Sequence, residues 1–164
     1  GDDMILKRMK RRHTRADAVR FVEAVKAKRP EIAIGADIIA SFPTETGATF
    51  ENSLRLIEDC DIVFGHIFPY SARTGTPAAR MPQLPVPIRK ARAARLREAA
   101  AQRLAAHLAA QTGRAIDVLV EKDGLRGHAA DFTPAALDRP ALPGSIVRAR
   151  VTGAEASRLL ATRA

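Results

Sequence analysis

Apolar residues in this chain are spaced first as helices and buried strands, then, past residue 113, as alternating strands. Ala18, Val22 and Val25 recur at steps of three or four and line one helix face. Thr14 with Asp17 three residues on gives that helix a capping-box start, and Pro30 ends it. A continuous apolar run follows within 32–42, bounded by Gly35 and Pro43. It is too short for a core helix and predicts a strand buried on both faces, as in parallel sheets. After the polar turn Ser41–Thr46, the spacing of Phe50, Leu54 and Ile57 predicts a helix to about Asp59. A second apolar run, Ile62 to Pro69, makes the next strand, with Phe64, His66 and Phe68 on one face and Val63 and Ile67 on the other. Strand, turn, helix and strand make a βα unit, in which ligands sit at the carboxyl ends of the strands. The turn from Ser41 to Thr46 is therefore the first candidate site.

Tyr70 to Pro87 is a proline-dense connection carrying Arg73 and Gly75, and the longest helix runs from Ile88 to about Gln111 with Leu96, Ala100, Leu104 and Leu108 on one stripe. Gly113 is its stop. Beyond it, Ile116–Glu121, Leu125–Phe132 and Ile146–Val151 alternate as short strands between Asp123-Gly124 and Pro143-Gly144 turns. That pattern predicts a small antiparallel β-barrel. The fold class is α/β, with an α/β part over 1–112 and a β-barrel over 113–164. No apolar run approaches the ~18 residues of a membrane span, so no membrane partner is expected. The opening Gly1-Asp2-Asp3, with Met4 followed at once by helix-like sequence, suggests a fragment.

Charge sharpens this picture. The chain of 164 residues carries 27 Lys and Arg against 18 Asp and Glu, a formal net charge of +9. Such a balance favours a polyanionic partner, nucleic acid first. The cations cluster: Lys7, Arg8, Lys10, Arg11, Arg12 and Arg15 stand without an acid, and Arg89, Lys90, Arg92, Arg95, Arg97 and Arg103 crowd the long helix against Glu98. In the tail, Lys122, Arg126, His128, Arg148 and Arg150 are the candidate phosphate contacts, and Phe132 is the only aromatic residue. The single cysteine, Cys60, excludes an internal disulfide framework and fits a reducing compartment. One thiol is also too few for an iron–sulfur cluster, so Cys60 reads as a small buried hydrophobe.

Three segments carry a resemblance. They are Lys7-Arg8-Met9-Lys10-Arg11-Arg12-His13-Thr14-Arg15, Asp37-Ile38-Ile39-Ala40-Ser41-Phe42-Pro43-Thr44-Glu45-Thr46, and the run His66-Ile67-Phe68-Pro69-Tyr70-Ser71-Ala72-Arg73-Thr74-Gly75-Thr76-Pro77. In this order they resemble the M-x-R-x-[YH]-T, D-I-I-x-G-F-P-[GT]-E-T and H-x-F-x-Y-S-x-R-x-G-T patterns of radical-SAM tRNA methylthiotransferases. Thr44 and the Lys7–His13 opening look most like the branch acting on threonylcarbamoyladenosine. Ser41 departs from the pattern, which has glycine there.

The resemblance implies the C-terminal part of a radical-SAM (β/α) barrel followed by a TRAM module, an OB-like RNA-binding β-barrel. It implies a cytoplasmic parent enzyme that uses SAM and two 4Fe–4S clusters to methylthiolate the C2 carbon of N6-threonylcarbamoyladenosine beside the tRNA anticodon. Arg11, Asp37, Ser41, Glu45, His66, Phe68 and Tyr70 are implied on the cofactor side. Arg73, Arg89, Arg92, Arg95, Lys122, Arg126, His128, Arg148 and Arg150 are implied on the RNA side. The cluster cysteines are absent from this chain, so no catalytic residue or metal ligand is expected in it, and alone it is expected to be inactive. Two alternatives stand beside this reading: a non-catalytic RNA-binding module, and the isopentenyladenosine branch of the same family.

Overall fold

A computed structural model describes residues 1–155 and 157–164. The chain divides into two compact units, Gly1–Arg103 and Leu104–Ala164. In the first, helices α1 (Asp3–Arg8) and α2 (Arg15–Lys28) precede strand β1 (Ile34–Ala40), helix α3 (Gly47–Asp59) and strand β2 (Ile62–Pro69). The expected capping box starts α2: Thr14 accepts from the Asp17 N–H, and the Asp17 carboxylate accepts from the Thr14 N–H at 2.8 Å. A second box, Thr46 with Thr49, starts α3 directly after the turn.

Strands β1 and β2 pair in parallel, as their apolar runs predict, with Asp37 opposite His66 and Ile39 opposite Phe68. The expected burial on both faces is not found: one face of the pair meets the core, while Asp37, His66 and Phe68 stand exposed on the other, where no further element among the described residues covers them. Ile38, Ala40, Ile62 and Ile67 share one core with Phe50 and Ile57 of α3 and Ala93, Leu96 and Ala100 of α4 (Val86–Ala110). Cys60 packs into it as the expected small hydrophobe, its thiol pushed above its ordinary range by burial, with Arg15 pulling it back.

Helix α4 packs against β2. Arg97 donates to the Ile67 carbonyl at 3.4 Å and Arg89 to the Tyr70 carbonyl at 3.1 Å. Gly65 lies so close that a Cβ there would stand 2.8 Å from the Ala100 Cβ. Ala100, Arg97 and Arg89 thus meet Gly65, Ile67 and Tyr70 in antiparallel order. The connection before it contains a 3-10 turn over Pro77–Arg80.

The second unit takes its first residues from the end of α4, whose Leu108 is buried in a β-barrel core. Gly113 follows with φ +82, the left-handed stop that its position predicts. Five strands, β3 (Ala115–Val120), β4 (Arg126–Ala129), β5 (Pro134–Leu137), β6 (Ile146–Glu155) and β7 (Arg158–Arg163), close in the order β3-β4-β5-β7-β6. Inward positions alternate along β3, β5, β6 and β7 and are aliphatic: Val118, Val120, Ala135, Leu137, Ala149, Val151, Leu159 and Ala161.

The expected barrel is antiparallel at four seams, but β5 and β7 pair in parallel. Two strands differ from expectation. The run 125–132 breaks after Ala129, because Phe132 adopts φ +65 and turns the chain into β5. A register shift at Val151/Gly153 carries β6 on to Glu155, and β7 returns from it. Gly127 is obligatory: a Cβ there would overlap the Leu119 carbonyl oxygen and stand 2.7 Å from Val118 Cγ1.

Candidate functional site

The turn after β1 is strained and buried. Ser41 has φ +63 and Thr44 φ +71, both in the left-handed region that favours glycine. A β-branched residue there is rare, and such strain of ~1 kcal/mol or more persists only where the surroundings fix it. The surroundings are visible: the Glu45 N–H donates to the Phe42 carbonyl at 3.0 Å, and Arg8 donates to the Thr44 hydroxyl. Ser41 is 1% exposed and its hydroxyl has no hydrogen-bond partner. Glycine at that position of the family pattern is thus explained by backbone conformation.

Glu45 is the hub. Its side chain is 2% exposed and meets Arg92 of α4 at 2.8 Å, and the same guanidinium nitrogen donates to the Glu45 carbonyl at 2.9 Å. Burial pushes the Glu45 carboxyl above its ordinary value; Arg92 and the Ser41 N–H pull against that without overcoming it. Arg92 also lies over the Phe50 ring, 5.3 Å from its centre, with Arg95 at 4.9 Å.

Beside the turn, the first unit holds a cavity of about 1080 Å³. Arg11, Asp37, Glu45, Phe68 and Tyr70 all line it. Five of the seven residues expected on the cofactor side therefore share one cavity. Ser41 and His66 do not line it, although His66 stands exposed opposite Asp37 on the strand pair. Tyr70 packs edge-on to Phe42 at 5.4 Å, and its hydroxyl is buried without a hydrogen-bond partner. The chemistry of the lining is mixed: a guanidinium for a carboxylate, carboxylates for ammonium or hydroxyl groups, and Phe68 with Ile39 for a flat apolar ring. An amino-acid-plus-nucleoside ligand such as SAM fits this set. An iron–sulfur cluster does not fit. Cys60 is the only thiol, and no metal-binding group of His, Cys, Asp or Glu exists among the described residues.

The residues expected to meet RNA are divided. On α4, Arg89, Arg92 and Arg95 all have protein partners: the Tyr70 carbonyl, Glu45, and Glu51 at 2.8 and 3.2 Å. Sequence reasoning missed this clamp because Glu45 and Arg92 are 47 residues apart. Their only advance signal is an acid inside an otherwise apolar and hydroxyl-bearing turn. On the barrel, Lys122, Arg126, Arg148 and Arg150 are exposed and His128 is half-buried. Arg126 pairs with Asp123, His128 with Glu121 at 3.1 Å and Arg148 with Asp117 at 2.9 Å. Arg150 donates to the Gly113 carbonyl at 2.8 Å. Exposed pairs of this kind are worth ~0–1 kcal/mol. Arg73 is exposed in the connection after β2.

No protein-family model matches the chain. It is 47% identical, over 155 residues and 94% of its length, to the threonylcarbamoyladenosine tRNA methylthiotransferase MtaB of Rickettsia prowazekii. Nearly the whole chain thus matches a stretch of a tRNA methylthiotransferase. A tRNA-2-methylthio-N(6)-dimethylallyladenosine synthase of Cereibacter sphaeroides is 40% identical over 169 residues, 99% of this chain. The chain spans 37% and 39% of the length of these two methylthiotransferases. No helix among the described residues is long and apolar enough to cross a membrane.

Proposed function

We propose that this chain is the part of a radical-SAM tRNA methylthiotransferase that completes the SAM pocket and holds the tRNA, in an enzyme acting on N6-threonylcarbamoyladenosine. One observation carries the reading: Arg11, Asp37, Glu45, Phe68 and Tyr70, drawn from three separated motifs, converge on one cavity. Arg11 is assigned to the SAM carboxylate, Asp37 and Glu45 to its ammonium and hydroxyl groups, and Phe68 to the adenine face. Tyr70 forms part of the wall, its ring held edge-on by Phe42. SAM supplies the radical and the methyl group in this chemistry; the protein's share is binding, orientation and exclusion of water. The clusters belong to residues outside this chain, so no step of the reaction is assigned to its own side chains.

The domain assignment follows. The expected boundary at 112/113 moves to 103/104, because the end of α4 packs into the second unit: residues 1–103 are assigned to the barrel part and 104–164 to a TRAM-like module that meets phosphate through Lys122, Arg126, His128, Arg148 and Arg150. Arg73 and Arg95 complete the RNA set from the first part, while Arg89 and Arg92 serve first as internal clamps. The dimethylallyladenosine branch is the second reading, favoured by the 40% identical relative, and it shares all these roles.

A salt titration of tRNA binding tests the reading. Each phosphate neutralised releases counterions, so affinity should fall steeply and linearly in log salt. Lys122→Glu with Arg150→Glu should weaken all tRNAs about equally, because phosphate contacts position without reading sequence. Binding that is flat with salt, or untouched by this pair, overturns the RNA half of the proposal.

A further inference from the structure

One aromatic side chain stands where both packing and backbone preference argue against it. Phe132 is 79% exposed and adopts φ +65, a conformation costly for a residue with a bulky side chain. The tip it occupies is rigid. Its own N–H donates to the Ala129 carbonyl at 2.9 Å, the Ala129 N–H to the Thr133 carbonyl at 2.9 Å, and the Thr133 N–H to the Asp131 carboxylate at 3.0 Å. Beneath it, the other Asp131 oxygen meets His107 of α4 at 3.2 Å, and the same imidazole nitrogen stands 3.2 Å from the Thr133 hydroxyl and 3.3 Å from Gln111. Thr133 is fully buried and Gln111 nearly so. The barrel therefore spends a buried polar network and a left-handed backbone on presenting one ring to solvent.

The strand register says what surrounds that ring. Val118 of β3 pairs with Ala129 of β4, while Asp117 and Ala115 pair with Arg148 and Arg150 of β6. The tip that follows Ala129 thus lies at the barrel end where Arg148 and Arg150 project. Its sequence neighbours Ala130 and Asp131 add little apolar area. A protein or membrane partner would call for a contiguous apolar patch of some hundreds of Å². A lone ring on a hydrogen-bonded tip, at the barrel end that carries the exposed Arg148 and Arg150, fits a different object, an unpaired nucleobase flanked by its phosphates.

We propose that Phe132 is a stacking platform for an unpaired base of the RNA, with Asp131 and His107 as the positioning residues that hold the tip. This rests on the tRNA reading above and adds the one contact there that is not electrostatic.

The absence of tryptophan from the chain provides the test. Phe132→Ala, Phe132→Trp and Phe132→Gly are titrated with a tRNA transcript and with a single-stranded oligoadenylate across a range of salt. Loss of one stacked base lowers affinity about 5- to 150-fold, and the alanine variant should do so with the salt slope unchanged. The Phe132→Trp variant should restore binding, its indole fluorescence quenched on stacking. Glycine suits the left-handed backbone, so that variant should keep or raise the thermal midpoint while losing affinity. If RNA binds Phe132→Ala as tightly as wild type and leaves the emission of the Phe132→Trp variant unmoved, the stacking role fails and the tRNA reading stands. If glycine lowers midpoint and affinity together, Phe132 is structural and the proposal fails. If wild type binds neither RNA at low salt, the tRNA reading fails and takes this proposal with it.

Discussion

Replacing Arg92 by methionine should remove much of the first unit's stability while changing little of its shape. The substitution keeps an unbranched apolar stem but removes the two hydrogen bonds of 2.8 and 2.9 Å that Arg92 gives to Glu45. It leaves a carboxylate that is 2% exposed facing apolar atoms and the Ser41 N–H. Breaking a buried ion pair from one side costs about 3–5 kcal/mol. Arg92 is itself 15% exposed, which places the expected loss at the lower end, about 3 kcal/mol. Against a total of about 5–15 kcal/mol for a domain, that is a large fraction.

Tyr70, the chain's only tyrosine and a residue of the first unit, reports the loss, so its fluorescence in urea follows that unit alone. Glu45→Gln keeps an acceptor for Arg92 without the charge and should cost less. The double variant should recover about 1–2 kcal/mol relative to the sum of the two single losses. Additivity to within ~0.5 kcal/mol would refute the clamp. The pH dependence has a definite sign. Because burial raises the Glu45 carboxyl, the folded state holds this proton more tightly than the unfolded one. Wild type should therefore gain stability relative to Glu45→Gln as pH falls from neutral toward the ordinary value of 4.5. A relative loss over that window contradicts the assignment.

Three further outcomes follow from the same geometry. Ser41→Gly should stabilise the first unit by about 1 kcal/mol, since it removes a left-handed side chain and an orphan hydroxyl; a lower urea midpoint contradicts this. Gly127→Ala should abolish the barrel's amide-exchange protection, because the added methyl overlaps the Leu119 carbonyl. Burial alone would raise Asp131, but hydrogen bonds from His107 and Thr133 hold it at about 2. Its contribution to the barrel is present above the unfolded value of 3.8 and lost as pH falls through about 2. In an acid titration followed by circular dichroism, Asp131→Asn should flatten that loss.

The parts of this fold that declared themselves in the sequence are those whose signal is local. The runs 32–42 and 62–69 are apolar enough to specify a parallel strand pair, though Asp37 and His66 within them mark the face that stays open, and Thr14 with Asp17 marks a helix start by hydrogen bonds three residues apart. Strands β5 and β7 stayed hidden because Pro134–Leu137 is proline and alanine with a leucine, and Arg158–Arg163 holds only two inward residues. Parallel pairing of two such short strands is a property of barrel closure, which no window of sequence contains. The residues expected on the cofactor side came from motifs, and five of the seven line one cavity. The arginines of α4 show the limit: a run of cations looks alike whether it faces solvent or reaches back to Glu45, Glu51 and two carbonyls. Only the fold distinguishes them.

The central claim is that this chain is a working segment of a tRNA methylthiotransferase. A chimera tests it most directly, with this chain replacing the matching stretch of the 47% identical Rickettsia prowazekii relative. The chimera is expressed in cells lacking their own enzyme, and the nucleosides of their tRNA are read by mass spectrometry. The account predicts 2-methylthio-N6-threonylcarbamoyladenosine in that tRNA, lost on Arg11→Ala while the chimera stays folded. A folded, cluster-loaded chimera that leaves threonylcarbamoyladenosine unmodified would contradict it.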